Sequence, residues 1–228
     1  MPSRSPDGPT PATTAPITPP APTATTAPDQ GAADARLLAA AGAGDPAGVR
    51  DALAAGARTE VADGHRRTPL LLAAAGDHVR VAELLVAAGA DPDALDDRHD
   101  TPWLVTGVTG SVAMLEALLP AGPDLGIVNR FGGLSVIPAS ERGHVEYVRR
   151  VVRTGIDVNH VNDLGWTALL EAVILGNGGE RHQDVVRALL AAGADPGIAD
   201  AHGVTALRHA ENKGYRAIAA LLRPAPQG

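Results

Sequence analysis

Two kinds of apolar segment alternate along most of this chain. The first is a compact apolar and alanine run, as at residues 69–75, and the second has apolar residues three and four apart, as at residues 79–86. The second spacing places the apolar side chains on one face of a helix. Glycine lies between and after these segments, at Gly76 and Gly89. The pattern therefore predicts pairs of short helices that are separated by tight turns.

The pairs recur with a period of 33 residues. Leu134 occupies the one position at which the recurring threonine is missing, and the last interval is lengthened to 38 residues in each register. A fixed period of this length is typical of a stacked repeat protein. The three registers consist of Gly56, Gly89, Gly122, Gly155 and Gly193; of Thr68, Thr101, Thr167 and Thr205; and of Asp77, Gly110, Gly143, Gly176 and Gly214.

The residues within one period resemble the ankyrin repeat. The segment reads Thr-Pro-Leu at 68–70, Asp-His-Val at 77–79, Leu-Leu at 84–85 and Gly-Ala-Asp-Pro at 89–92, and residues 168–172 and 189–196 repeat the pattern. The resemblance covers residues 32–223. It implies an all-α ankyrin-repeat solenoid of about six stacked helix-turn-helix repeats with projecting β-turn fingers. The expected repeats are 32–62, 63–95, 96–128, 129–161, 162–199 and 200–223.

Physical reasons support this reading. Threonine before a helix caps its free amide groups, and proline at the next position loses no hydrogen bond there. One repeat cannot bury both of its faces, so neighbours must stack. The fourth repeat departs from the pattern, because Leu134 replaces the capping threonine and Pro138 is expected about one turn into the inner helix. We therefore predict that the fourth repeat is the least stable one.

The ends of the chain differ from the repeats. Residues 1–30 contain nine Pro, seven Thr and five Ala, which provide too little apolar surface to offset the entropy of ordering. We expect disordered tails at residues 1–31 and 224–228. We expect a cytoplasmic protein, or an exported or surface-tethered one if the true start lies upstream of Met1.

Composition narrows the function. Aromatic residues make up only 2% of the chain, so the core must consist mainly of Ala, Val and Leu. The net charge of -7 argues against nucleic-acid binding, and no apolar run is long enough to span a membrane. The chain contains no cysteine, and its histidines lack the spacing of a zinc site. We expect a monomer without enzymatic activity, cofactor or metal.

Function is therefore sought on the surface. The resemblance implies a non-enzymatic module that binds another protein through its finger tips and its concave inner-helix face. Phe131, Leu164, Ile174 and Leu175 are apolar at positions where exposure is expected, which is typical of an interaction site. The candidate partner-binding residues at these positions are Arg98, Asp100, Arg130, Phe131, Glu141, Arg142, Asp163, Leu164, Trp166, Ile174, Leu175 and His202.

An alternative function centres on five extra residues in the fifth repeat, within residues 176–183. This insert is either a lengthened surface loop or a projecting contact element, with Arg181 and His182 as further candidates for partner binding. A small-ligand receptor or an enzyme with a site at this insert would require a polar concavity. That alternative predicts that Arg181, His182 and a carboxylate, either Glu171 or Glu180, converge.

Overall fold

The computed structural model describes residues 27–223, which form twelve α-helices and two short 3-10 helices. Two residues outside the helices, Ala199 and Thr205, make an isolated β-bridge. The helices are α1 (Ala27–Ala43), α2 (Pro46–Ala54), α3 (Pro69–Ala75), α4 (Val79–Ala87), α5 (Pro102–Thr109), α6 (Val112–Leu118), α7 (Val136–Glu141), α8 (Val145–Val151), α9 (Ala168–Ile174), α10 (Glu180–Ala191), α11 (Ala206–Asn212) and α12 (Arg216–Leu222).

The helices stack in two layers. Each odd-numbered helix from α1 to α11 contacts the next odd-numbered one and forms the inner layer, and the even-numbered helices from α2 to α12 form the outer layer in the same way. Each repeat contributes one helix to each layer, which buries the face that a single repeat would leave in water. The predicted all-α solenoid is confirmed.

The predicted N-terminal boundary is wrong by five residues. Helix α1 begins at Ala27, within the range expected to be a disordered tail. The side chain of Gln30 contributes to this early start, because its amide donates to the Gly56 carbonyl at 2.7 Å and to Asp34 at 3.1 Å. The rest of the two predicted tails, residues 1–26 and 224–228, lies outside the described residues.

Threonine side chains cap four of the inner helices. The Thr167 hydroxyl accepts a hydrogen bond from the Leu170 amide at 3.2 Å, and Thr68, Thr101 and Thr205 do the same in their repeats. In the fourth repeat Ser135 precedes α7 and makes no capping hydrogen bond, as the sequence indicates. Pro138 lies closer to the start than expected, however. It is the third residue of α7, where an amide has no partner within the helix.

The core contains alanine, valine and leucine, with two large aromatic exceptions. Trp103 and Tyr147 are almost completely buried. The Tyr147 hydroxyl lies 2.7 Å from the Thr106 hydroxyl, and burial raises the pKa of Tyr147 to about 12. These two aromatic residues therefore fill the centre of the stack, where α5 and α8 belong to neighbouring repeats.

A close backbone approach joins the third and fourth repeats. A Cβ atom added at Gly107 would lie only 1.9 Å from the Ser135 carbonyl oxygen. The equivalent positions of the second and fourth repeats hold Ala74 and Ser140. Of these three repeats, only the third has a glycine at this position. Glycine is required at 107 because the uncapped turn before α7 packs directly against α5.

Half of the insert, residues 180–183, is helical, and the turn before it is also lengthened: five residues separate α9 from α10, whereas two or three separate the two helices of the other repeats. Helix α10 has twelve residues, whereas the other outer helices have seven to nine. The remaining turn before α10 is held by Asn177, whose side-chain oxygen accepts from the Gly179 amide at 3.0 Å and lies 3.1 Å from His182 Nδ1. The extra residues therefore lengthen both the turn before α10 and the outer helix itself.

Candidate binding groove

Turns at the finger tips position the candidate residues. In each turn one Asp or Asn side-chain oxygen accepts the amides two and four residues later, which fixes the loop without a long strand pair. Asp96 accepts from Arg98 at 2.7 Å and from Asp100 at 2.9 Å, and Asn129 accepts from Phe131 at 2.9 Å. The same geometry recurs at Asp63, Asn162 and Asp200.

These fingers and the inner helices of the third, fourth and fifth repeats line a cavity of about 350 Å³, which we call the groove. Helices α5, α7 and α9 provide its floor and the three preceding fingers provide one wall. Eight residues that the sequence nominated line the groove: Arg98, Asp100, Arg130, Phe131, Glu141, Arg142, Leu164 and Leu175.

Exposed apolar side chains concentrate in the groove. Phe131 and Leu164 are each 52% exposed, Leu175 is 50% exposed and Val108 is 41% exposed, and all four line it. The Arg130 guanidinium lies 4.7 Å from the centre of the Phe131 ring, which places a cation over an aromatic face. The sequence did not predict Val108 as a site residue. It is the penultimate residue of α5, and the apolar sequence of this helix indicates a buried position.

Charged groups of both signs surround this apolar surface. Asp100 lies near one other carboxylate, Asp96, and near two arginines, Arg98 and Arg130. Burial and the Asp96 carboxylate raise the pKa of Asp100, and the two arginines oppose that shift. The Arg142 guanidinium donates to the Glu141 carboxylate at 2.9 Å. The groove therefore carries charges of both signs around its apolar side chains, with one ion pair between Arg142 and Glu141.

Glu171 is a lining residue that the sequence reading did not nominate for partner binding. It is only 6% exposed, and one of its carboxylate oxygens accepts a hydrogen bond from the Asn162 side chain at 2.9 Å. Burial, followed by the charge of Glu141, raises the pKa of Glu171 to about 7, while Asn162 and Arg142 oppose the shift. The sequence does show that Glu171 is exceptional. The positions one, two and three periods earlier hold the apolar residues Pro138, Val105 and Leu72.

Four of the predicted residues do not line the groove. They are Asp163, Trp166, Ile174 and His202, which lie on or near the fingers and α9. The Asp163 amide donates to the Phe131 carbonyl at 3.0 Å, so this residue links two fingers. Trp166 and Ile174 are partly buried and pack against the core, while His202 is exposed on the last finger. Their side chains were predicted to contact a partner; those of Trp166 and Ile174 pack within the stack, whereas Asp163 and His202 are exposed.

The residues of the proposed insert site do not converge. His182 is buried, and its Nε2 lies 2.9 Å from the Glu141 carbonyl oxygen, so both of its ring nitrogens have partners within the protein. Arg181 lines a separate depression beside Gly143 and His144, whereas Glu171 lines the groove. Arg181, His182 and Glu171 therefore do not meet in one concavity.

The described part of the chain has no clustered metal ligands and no membrane-spanning helix. Among residues 27–223 no group of three or more His, Asp or Glu side chains could hold a metal ion. Within the same range no helix is long and apolar enough to cross a membrane. The fold and the groove together define a helical repeat protein with a concave surface.

Comparison with known proteins identifies the family. The family model for ankyrin repeats in three copies matches residues 104–200 and 139–227, and the model for a single ankyrin repeat matches residues 65–97. The chain belongs to the ankyrin-repeat family. Over 59 residues it is 46% identical to YahD of Escherichia coli (strain K12), itself assigned to the ankyrin repeat proteins; this match covers 26% of the chain and only 29% of YahD.

Solved structures agree over most of the chain. An ankyrin repeat domain from Acinetobacter baumannii AYE is 45% identical, with a TM-score of 0.79 over 82% of this chain and 95% of that domain. The ankyrin repeat protein EF0377 is 36% identical, with a TM-score of 0.80 over 83% and 96% of the two chains. The ankyrin repeat domain of Bcl-3, a member of the IkappaB family, is 28% identical, with a TM-score of 0.73 over 82% and 84%.

Proposed function

We propose that this ankyrin-repeat protein is a non-enzymatic module that binds another protein in the groove. Ankyrin repeats are generally protein–protein interaction modules. The observation that carries the proposal for this chain is the convergence of four exposed apolar side chains, Val108, Phe131, Leu164 and Leu175, in one concave cavity. Exposed apolar area ringed by charged groups is typical of an interaction surface.

The distribution of exposed apolar residues supports a single contact region. Six large apolar side chains are exposed among the described residues, and only Leu95 and Val161 do not line the groove. Burying Phe131 and Leu164 against a partner would remove apolar surface from water at about 25 cal/mol per Å². The Arg130 guanidinium beside Phe131 would add a charged anchor of the kind enriched at interface hot spots.

A matched pair of substitutions tests this proposal. Leu164→Asp places a charge in the groove, whereas Val161→Asp places the same charge three residues earlier, on a side chain that is 46% exposed and outside the groove. Proteins captured from source-cell lysate by the wild type and by both variants would be compared by quantitative mass spectrometry. We expect a protein that is retained by wild type and Val161→Asp and lost with Leu164→Asp.

The controls separate folding from binding. Circular dichroism and thermal unfolding of both variants should match the wild type, because both side chains are exposed. A photoreactive amino acid at position 164 should then cross-link to the captured protein, and the same group at 161 should not. Equal capture by all three proteins would contradict the assignment of the groove.

Two finer expectations stay predictions. We propose that the chain acts as a monomer and in the cytoplasm, the two states expected from the sequence. Light scattering on the purified full chain measures the first, and fractionation of source cells measures the second. A stable dimer, or recovery in the membrane or secreted fraction, would contradict them.

A further inference from the structure

Glu171 is an unusual residue for its position in the repeat. The equivalent residues of the three preceding repeats are Leu72, Val105 and Pro138, which are apolar. A buried carboxyl group costs free energy unless it is neutralised or hydrogen-bonded. In the following repeat the equivalent residue is His209, whose Nε2 lies 2.7 Å from Asp200, so a polar contact between finger and helix recurs there, but a carboxyl group at this position is specific to the fifth repeat.

The carboxyl group has one protein partner and one open oxygen. Asn162 donates to Oε1 of Glu171 at 2.9 Å. The Asn162 side-chain oxygen already accepts the Leu164 and Trp166 amides at 3.0 Å each, so only its amide group is left to face the carboxyl group. Within residues 27–223 no hydrogen bond uses Oε2 of Glu171, and the residue lines the groove.

The charges around Glu171 favour a cation. Glu141, on α7, is the nearby anion that raises its pKa, after burial. Arg142, the residue that follows α7, already donates to Glu141 at 2.9 Å and to the Pro138 carbonyl at 3.2 Å, so it only partly compensates.

The charges that shift the pKa of Glu171 are those of Glu141 and Arg142, and Arg181 of α10, which also packs on α9, lines a separate depression beside Gly143 and His144. On α10 both nitrogens of His182 have partners, Asn177 and the Glu141 carbonyl. On α11 His209 lies 2.7 Å from Asp200, and Arg208 lies 3.7 Å from Glu211. Beside Glu171 a cation would therefore meet the Glu141 carboxylate and Arg142, which is already engaged, whereas the other two arginines of the groove, Arg98 and Arg130, lie on the preceding fingers.

We propose that the groove recognises a lysine or arginine side chain of the partner protein, with its cationic end between Glu171 and Glu141 and apolar neighbouring residues against Phe131, Leu164 and Leu175. This inference rests on the proposed function and names the chemistry of the segment that is bound. A long basic side chain suits the site because its methylene groups cover apolar surface while its end makes charge-assisted hydrogen bonds.

A basic side chain in the groove predicts how the binding affinity depends on pH. Binding of a cation requires the ionised carboxylate, so binding would release a proton from Glu171 whenever this group is protonated in the free protein. We expect affinity to increase between about pH 6 and about pH 8, around the pKa of about 7. A protonated Glu171 that donates to an acidic partner would give the opposite slope.

The test uses a library of random peptides of about twelve residues, displayed on phage and selected on the full chain at about pH 7.5. Enriched peptides are synthesised with the basic residue present and with norleucine in its place. We expect a shared Lys or Arg next to an apolar residue, and a loss of about ten-fold or more in affinity for either norleucine or Glu171→Gln. In a double-mutant cycle the two changes together should cost little more than either alone.

The controls distinguish binding in the groove from recognition of a basic side chain by Glu171. Glu116→Gln removes a carboxylate that binds Arg150 on the outer layer, and it should leave peptide affinity unchanged. Peptides that require Leu164 but bind Glu171→Gln equally, or that share an acidic residue, would overturn the inference and keep the groove. If no selected peptide depends on Leu164, the proposed function fails together with the inference.

Discussion

Removing the charge of Glu171 should make the stability of this protein less dependent on pH. The carboxyl group has a pKa of about 7 in the folded protein against an ordinary value of 4.5. In the window between these values the folded state holds the proton more tightly than the unfolded state, so stability falls as pH rises and is fully present only below about 4.5. At 1.36 kcal/mol for each pKa unit, the loss above pH 7 reaches about 3 kcal/mol.

Glu171→Gln keeps an oxygen that can accept from Asn162 and removes the charge. We therefore expect the variant to have about the same free energy of unfolding as the wild type near pH 4.5 and to be more stable by up to about 3 kcal/mol near pH 8. The assay is urea unfolding of both proteins at several pH values, followed by circular dichroism.

The matched control is Glu146→Gln, which removes an exposed carboxylate on α8. Its stability difference from the wild type should change far less between the two pH values. If the difference between wild type and Glu171→Gln stays constant from about pH 4.5 to about pH 8, the carboxyl group is not desolvated in the groove, and the reasoning on cation binding loses its support.

Three further predictions concern the stack itself, each measured by urea unfolding. Gly107→Ala should destabilise the protein by about 2 kcal/mol, because the new methyl group would overlap the Ser135 carbonyl, and unchanged stability would contradict that approach. Thr167→Ala should lower the free energy of unfolding by about 1 kcal/mol, because it removes the cap of α9. Ser135→Ala removes no capping hydrogen bond and should lower it less, and equal losses would contradict the assigned caps. His182→Ala should cost about 1–3 kcal/mol by leaving the Glu141 carbonyl without its partner, whereas a loss of peptide binding at full stability would revive a site at the insert.

The groove shows how far a periodic sequence leads. A period of 33 residues puts equivalent positions of successive repeats on the same face, so finger and helix-end positions could be chosen without coordinates. Phe131 and Leu164, two residues after their turn-forming asparagines, were found in this way. Trp166 and Ile174 passed the same test and are partly buried, because exposure at those positions depends on the neighbouring repeat.

The sequence by itself determined the family, the two-layer order of helices, the capping threonines and eight of the groove residues, because each follows from local chemistry repeated at a fixed spacing. Only the tertiary structure decided the features that join residues of different repeats. His182 is fixed by a carbonyl 41 positions earlier, Gly107 is required by the Ser135 backbone, and the pKa of Glu171 is raised by burial and by Glu141. Burial and charge at these positions depend on distances between repeats, and these distances are set only when the solenoid is assembled.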